Sequence, residues 1–303
     1  MSIYDEIQAQ ARVSDTWEKW KDYRNEVTEL LLQECADARK IVIVGAGSCD
    51  DIDLTKLGSR GKEIVLLDND EQALRKAQER LRKQKNENVL ITGQVMGIDG
   101  VEAYMYREFC ERLAGYIRSG AGIYLSELDE FAYSLLEEYD ASAKKNKEAD
   151  KGKWQEADVY ICMGVCSQLQ TMFAYVYHAL RGYVMQMAGV EMGEADTSGV
   201  EKFEAFLKKR NEQTIGSFHD RMLGHTKYKL IVGNEYQRSL KHDTLKERMY
   251  ESVLKSGQPI EGAYQAIMDI RGRNLSCKEY TAYWPFDLSC EIGYEMVIQV
   301  VTK

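Results

Sequence analysis

Proline is almost absent. Two residues in 303, Pro259 and Pro285, leave most of the chain free to form long uninterrupted helices. An excess of positive charge is missing too: the formal charge is -9, and sequence-independent binding to DNA or RNA needs clustered Lys and Arg to displace counterions, so no nucleic acid partner is expected. No stretch has the length and apolarity of a membrane span, and the opening MSIYDEIQAQ lacks the basic-then-apolar order of a secretory signal. A cytoplasmic protein without a membrane partner is expected. The seven cysteines are odd in number, and neither a C-x-x-C pair nor a Cys/His cluster at zinc spacing occurs, so no metal site is expected. Cys162 and Cys166 come nearest, one ending an expected strand and the other opening a loop. With 44% hydrophobic residues and no internal repeat, the chain has material for one large domain or a domain with a cap.

What is present begins with IVIVGAGSCDDIDL, Ile41 to Leu54. Four apolar, mostly β-branched residues suit a strand buried on both faces, and glycines at 45 and 47 permit a tight turn after it. The dinucleotide fingerprint G-x-G-x-x-G requires a third glycine, where the helix N-terminus meets a pyrophosphate. Asp50 stands there instead, with Asp51 and Asp53 behind it. Three carboxylates repel a diphosphate, so the ligand facing this turn is expected to be neutral or cationic.

Upstream, Trp17, Trp20, Tyr23, Val27, Leu30 and Leu31 recur at three- and four-residue spacings and predict one amphipathic helix leading to the first strand, Lys40 to Val44. EIVLLDND reads as a second strand ending in Asp68, EQALRKAQERLRKQ as a helix, and NVLITGQV as a third strand closed by MGIDG. Two helices follow, VEAYMYREFCERLAGYI and LDEFAYSLLEEYDASAKK, the second fading into KKNKEADKGKW, read as a solvated loop. ADVYICMGVCSQLQTMF restarts the pattern as strand, Gly164 turn and apolar helix. A helical insertion at about 190–226 precedes a fifth strand, KYKLIVGNEY, and would cover the carboxyl edge of the sheet. CKEYTAYWPFD and GYEMVIQVVTK are aromatic and β-branched runs that should pair as an antiparallel hairpin.

A glycine-turn strand, an acid-ended second strand, a parallel α/β core and a closing antiparallel pair, in this order from about Lys40 to Lys303, resemble the class I methyltransferases that use S-adenosylmethionine. The resemblance implies an α/β Rossmann-like fold: a mainly parallel seven-stranded sheet with helices on both faces and an antiparallel C-terminal strand. In domain terms, residues 1–39 form a helical extension able to act as a lid, and residues 40–303 the methyltransferase domain with its helical cap insertion. It also implies a ligand without phosphate, whose ammonium and sulfonium make carboxylates at the turn tolerable. Gly45, Ala46, Gly47 and Ser48 would hold the methionine and ribose, with one loop carboxylate reaching the ammonium unless all three are helix N-terminal charges. Asp68 would accept from the ribose hydroxyls or else cap its strand, Asn69 would lie beside the adenine, and Asp99 would accept from the adenine amino group.

At the fourth strand's end, the resemblance has Gly164 and Val165 lining the cofactor. Ser167 and Gln168 either face the methyl acceptor or simply start the next helix. CMGVCSQL lacks the Asn/Asp-Pro-Pro-aromatic sequence of enzymes acting on amide or base nitrogens, the aspartates of metal-dependent catechol-type enzymes, and the Pro-Cys nucleophile of cytosine C5 enzymes. The acceptor is therefore expected to be a small molecule or a side chain. His219 on the cap helix is the candidate base, or else an ordinary helix-face residue; His178 reads as core. Tyr283, with Tyr280 and Trp284, either shapes the acceptor pocket or packs in the core. Two other readings stay open: a nicotinamide-dependent oxidoreductase, which shares the opening βαβ unit, and a non-catalytic S-adenosylmethionine-binding module.

Overall fold

The computed structural model describes residues 2–11, 13–59, 61–83, 90–98, 100–120, 124–189, 197–238, 261–287 and 292–303. The chain divides into two compact units. One comprises Val13–Ile98, Gly152–Ser167 and Ile215–Lys303, the other Met1–Arg12, Asp99–Lys151 and Gln168–Thr214. These boundaries differ from an extension at 1–39 and an insertion at 190–226, because helices that follow the third and fourth strands share an apolar core of their own.

The first unit is built on a seven-stranded sheet in the order β3-β2-β1-β4-β5-β7-β6. Its strands are β1 (Lys40–Val44), β2 (Glu63–Asp68), β3 (Leu90–Val95), β4 (Ala157–Met163), β5 (Thr226–Arg238), β6 (Ser276–Asp287) and β7 (Ile292–Thr302). β1 to β5 pair in parallel, and β7 runs antiparallel to both β5 and β6. This is the Rossmann-like arrangement implied by the resemblance. β1, β2 and β4 are buried along nearly their whole length, as strands covered on both faces must be.

Side-chain alternation assigns the helices to faces. Ile41 and Ile43, Ile64 and Leu66, and Ile298 and Val300 share a core with Tyr23, Val27 and Leu31 of α3 (Lys21–Glu34) and with Leu74 and Ala77 of α5 (Glu71–Lys83). On the opposite face Gln299 donates from Nε2 to the Ile267 carbonyl at 3.3 Å, where a helix at Glu261–Gly272 buries Ala263, Ala266, Ile267 and Ile270. That helix escaped the sequence reading, although its spacing of three, four and seven is helical. The expected single N-terminal helix is two, α2 (Thr16–Lys19) and α3, divided at Trp20, whose indole N–H donates to the Phe286 carbonyl at 2.9 Å. The aromatic stripe is core: Trp284 meets Trp20 edge-on at 4.9 Å and stacks on Tyr23 at 5.5 Å.

The second unit is helical. α1 (Ile3–Ala11), α6 (Ala103–Arg118), α7 (Leu125–Ala149) and α8 (Thr171–Ala188) enclose Phe109, Phe173, Tyr177 and, from the next helix, Phe203. Tyr177 stacks on Phe203 at 4.0 Å. α7 takes in the first half of the segment read as a solvated loop, up to Ala149, and a 3-10 turn at Asp150–Lys153 follows it; Ala, Lys and Glu are strong helix formers. α9 (Ser198–His225) contributes to this unit up to Thr214 and to the sheet unit from Ile215. Among the described residues no helix is long and apolar enough to cross a membrane.

Candidate functional site

The turn after β1 is shaped by two glycines with different duties. Gly45 has φ +67°, and its amide donates to the Leu67 carbonyl at 2.8 Å. A Cβ on Gly45 would lie 2.2 Å from Val165 Cγ2, so the β1 and β4 ends are pressed together where a side chain is forbidden. Gly47 has φ +50°, yet a Cβ there would meet nothing within 4 Å. The space beside Gly47 is open. Gly45→Ala is therefore expected to cost about 2–3 kcal/mol from strain and overpacking, and Gly47→Ala about 1 from strain alone. Thermal unfolding of the pair measures the difference; equal losses would mean the Val165 contact does not matter.

Asp68, half-buried at the end of β2, leans over this turn. Its Oδ2 accepts from the Gly47 amide at 2.7 Å and its Oδ1 from the Asp70 amide at 2.8 Å. Burial pushes its pKa up, while the amides of Asp70, Gly47 and Asn69 pull it back. Asn69, the next residue, is also half-buried. Gly45, Ala46, Gly47, Asp68, Asn69 and Val165 thus meet at one edge of the sheet. Asp99 lies outside the described residues.

The three carboxylates after Gly47 are not equivalent. Asp50 is buried and accepts from the hydroxyls of Thr16 and Ser48, each at 2.6 Å, while ion-paired to Arg80. Ser48 is thereby turned toward Asp50. Arg80 and Arg24 sandwich the Trp17 ring at 3.8 and 3.5 Å. Asp53 caps the short helix Leu54–Leu57, accepting from the amides of Thr55 and Lys56 at 3.0 and 3.2 Å. Asp51 is held less firmly, by its own amide and the charge of Arg24. Burial pushes its carboxyl up to about 7, with the neighbouring charge of Asp50 adding to the rise. The repulsion of a diphosphate therefore rests on Asp51 and Asp68 alone.

No family model matches the chain, and no curated protein matches it. Among solved structures it is similar to magnesium protoporphyrin IX methyltransferase from Synechocystis PCC 6803 with bound SAM, at 8% identity over 96% of this chain and 85% of that one, TM-score 0.45. It is also similar to the N-methyltransferase NodS from Bradyrhizobium japonicum WM9 in complex with S-adenosyl-L-homocysteine, at 11% identity over 99% and 97%, TM-score 0.44. Likeness this remote carries no chemistry, which has to come from the residues themselves.

Beyond Val165 the expected Ser167 meets Glu235, which sequence reasoning missed, as it missed the adjacent Asn234. Ser167 Oγ donates to Glu235 Oε1 at 2.8 Å. Glu235, on β5 opposite Met296, is only 3% exposed, and its Oε2 is buried with no hydrogen-bond partner among the described residues. Its neighbour Asn234 is fully buried, and neither of its side-chain polar atoms has a partner among them. Burial pushes the Glu235 carboxyl up to about 7 against the pull of its own amide and of Ser167. A Cβ on Gly164 would sit 3.1 Å from the Trp284 ring and 3.6 Å from Glu235 Oε1. The signal was available: an acid interrupts the apolar run LIVGNEY at its end.

Three other expected residues fall elsewhere. Tyr283 projects from the face of β6 opposite Trp284, so the aromatic beside Gly164 is Trp284 instead. Gln168 is exposed and belongs to the helical unit. His219, expected as an accessible base on a cap helix, is 0% exposed and sits in the sheet unit, its Nδ1 2.6 Å from Asp269 Oδ2. Asp269 also accepts from Arg273 Nε at 2.8 Å. Burial works against a charged imidazole, but Asp269 and the Cys166 thiol outweigh it and raise His219 to about 9. Asp269, pushed up by burial, is held at about 2 by His219 and Arg273. At neutral pH His219 already carries its proton and has no exposed surface: it is half of a structural ion pair, not a base. Of the adjoining thiols Cys166 is the more acidic, because Cys162 hydrogen-bonds to it and the imidazolium stands beside it.

Proposed function

We propose that the chain is an S-adenosylmethionine-dependent methyltransferase acting on a small molecule or a side chain. The observation that carries the reading is the pairing of an open glycine turn with Asp68 at its rim and Asp51, its carboxyl raised by burial, behind it. A cofactor without phosphate and with an ammonium fits this donor and acceptor set. A dinucleotide would bring two phosphates toward two half-buried carboxylates.

In this reading the backbone of Gly45, Ala46 and Gly47 lies against the methionine and ribose, and Asp68 orients the nucleoside through the ribose hydroxyls. Asp51 supplies the charge opposite the ammonium. Gly164 and Val165 line the same edge. When bound, S-adenosylmethionine supplies a methyl group made electrophilic by its sulfonium. The protein's share is alignment and exclusion of water, worth on the order of 7–11 kcal/mol in favourable cases.

Calorimetric titration with S-adenosylhomocysteine, with NAD as comparator, tests the reading. S-adenosylhomocysteine is expected to bind and NAD not, and Asp68→Ala is expected to weaken binding about tenfold to a hundredfold by removing charge-assisted hydrogen bonds. Preference for NAD, or an Asp68→Ala variant that binds as well as the parent protein, would end the assignment.

A further inference from the structure

Glu235 is the buried charge that the cofactor reading leaves unused. The glycine turn packs against Val165, and on either side of Val165 the chain meets Glu235: a Cβ on Gly164 would lie 3.6 Å from its Oε1, and Ser167 donates to it through its hydroxyl. Among the described residues one carboxylate oxygen has a hydrogen-bond partner and the other has none. Among the described residues no Lys, Arg or His forms an ion pair with it. The groups around it are Ser167 and Cys166 from the β4 loop, Cys162 from β4, Trp284 from β6 and Tyr23 from α3, whose phenol is pushed up by burial and by the charges of Asp51 and Glu235. Every one is neutral or negative. A carboxylate enclosed in this way is stable only with a cation or a proton supplied from outside.

We propose that Glu235, with Ser167 and Trp284, forms the acceptor wall of the site and selects a basic nitrogen, an amine, as the group to be methylated. This rests on the cofactor reading above. An ammonium brings both the positive charge and the N–H that the free Oε2 lacks. An acidic acceptor is repelled by Glu235 and Asp51, and a hydroxyl leaves the carboxylate uncompensated. The amine must lose a proton before its lone pair is available. That proton passes from R–NH3+ to Glu235 Oε2, giving the neutral amine and a neutral carboxylic acid. A carboxyl titrating near 7 accepts it readily at neutral pH.

Sinefungin tests this without knowledge of the acceptor. It is an analogue of S-adenosylhomocysteine that carries an amine where the transferable methyl would be, so its ammonium points at the acceptor wall. The measurement is the ratio of its affinity to that of S-adenosylhomocysteine, by calorimetry on the full chain at pH 6 and 8. The parent protein is expected to prefer sinefungin at least tenfold at pH 8 and less at pH 6, where Glu235 is protonated. Glu235→Gln should bring the ratio toward one at both pH values, and Ser167→Ala should reduce it in part. A ratio near one in the parent protein, or one that survives Glu235→Gln, overturns the proposal. Absence of binding by either compound overturns the cofactor reading itself, and the proposal with it.

Discussion

Asp269→Ala is expected to lower stability by about 3 kcal/mol at pH 5.5 and by far less at pH 10. The folded His219 titrates at about 9 instead of 6.5, so its pairing stabilises the fold fully below 6.5 and loses that contribution as pH rises through 9. Asp269 adds its share above its ordinary 3.8 and would lose it only as pH falls through about 2. Between those limits both charges are in place, and removing one strands the other in a fully buried position. Arg273 keeps Asp220 at 2.6 Å, so the variant is not left with an orphaned guanidinium as well. Urea unfolding at the two pH values measures the effect. An equal loss at both would mean that packing, and not charge, is what Asp269 supplies.

Glu235→Gln should act in the other direction, raising the stability of the unliganded protein by about 3 kcal/mol at pH 8 and leaving it nearly unchanged at pH 4.5. The unfolded chain releases this proton near the ordinary 4.5 and the folded chain near 7, so stability falls across that window and stays lower above it. Glutamine removes the charge and keeps an oxygen for the Ser167 hydroxyl. Asp51, raised to about 7 by burial, declines over a similar range. With His219 losing its contribution from 6.5 to 9, the unliganded protein is expected to be most stable in mild acid. A Glu235→Gln variant no more stable than the parent at pH 8 would reveal a counter-charge already present.

The strands were readable because burial on both faces demands continuous apolar, β-branched runs, and KIVIV, EIVLLD and ADVYICM have them. The glycine turn and Asp68 were readable for the same reason: they end such runs. The partition of the helices was not. Phe109, Phe173 and Tyr177 sit at helical spacing, but periodicity says only that a face is buried, not that it is buried against other helices instead of the sheet. Nor did residue type reveal that Asp50 forms an ion pair with Arg80 while burial raises the carboxyl of Asp51, since adjacent acids in sequence meet different surroundings in space. His219 looked like chemistry because it fell on the expected cap helix, and a carboxylate 50 residues downstream pairs with it in the core.

The place of β7 between β5 and β6 bears on how the molecule is made. A ribosome releases β5 and β6 before the strand that separates them. In that interval Leu230, Ile231 and Val232 belong to a strand whose open edge offers its amides and carbonyls to any passing extended segment, β6 included. Parallel pairing of β5 with β6 would shut out the strand that belongs between them. The hazard of misassembly therefore falls in the interval before β7 emerges, when most of the sheet already stands, and a nascent chain stalled just short of β7 is the species that a chaperone would most need to hold.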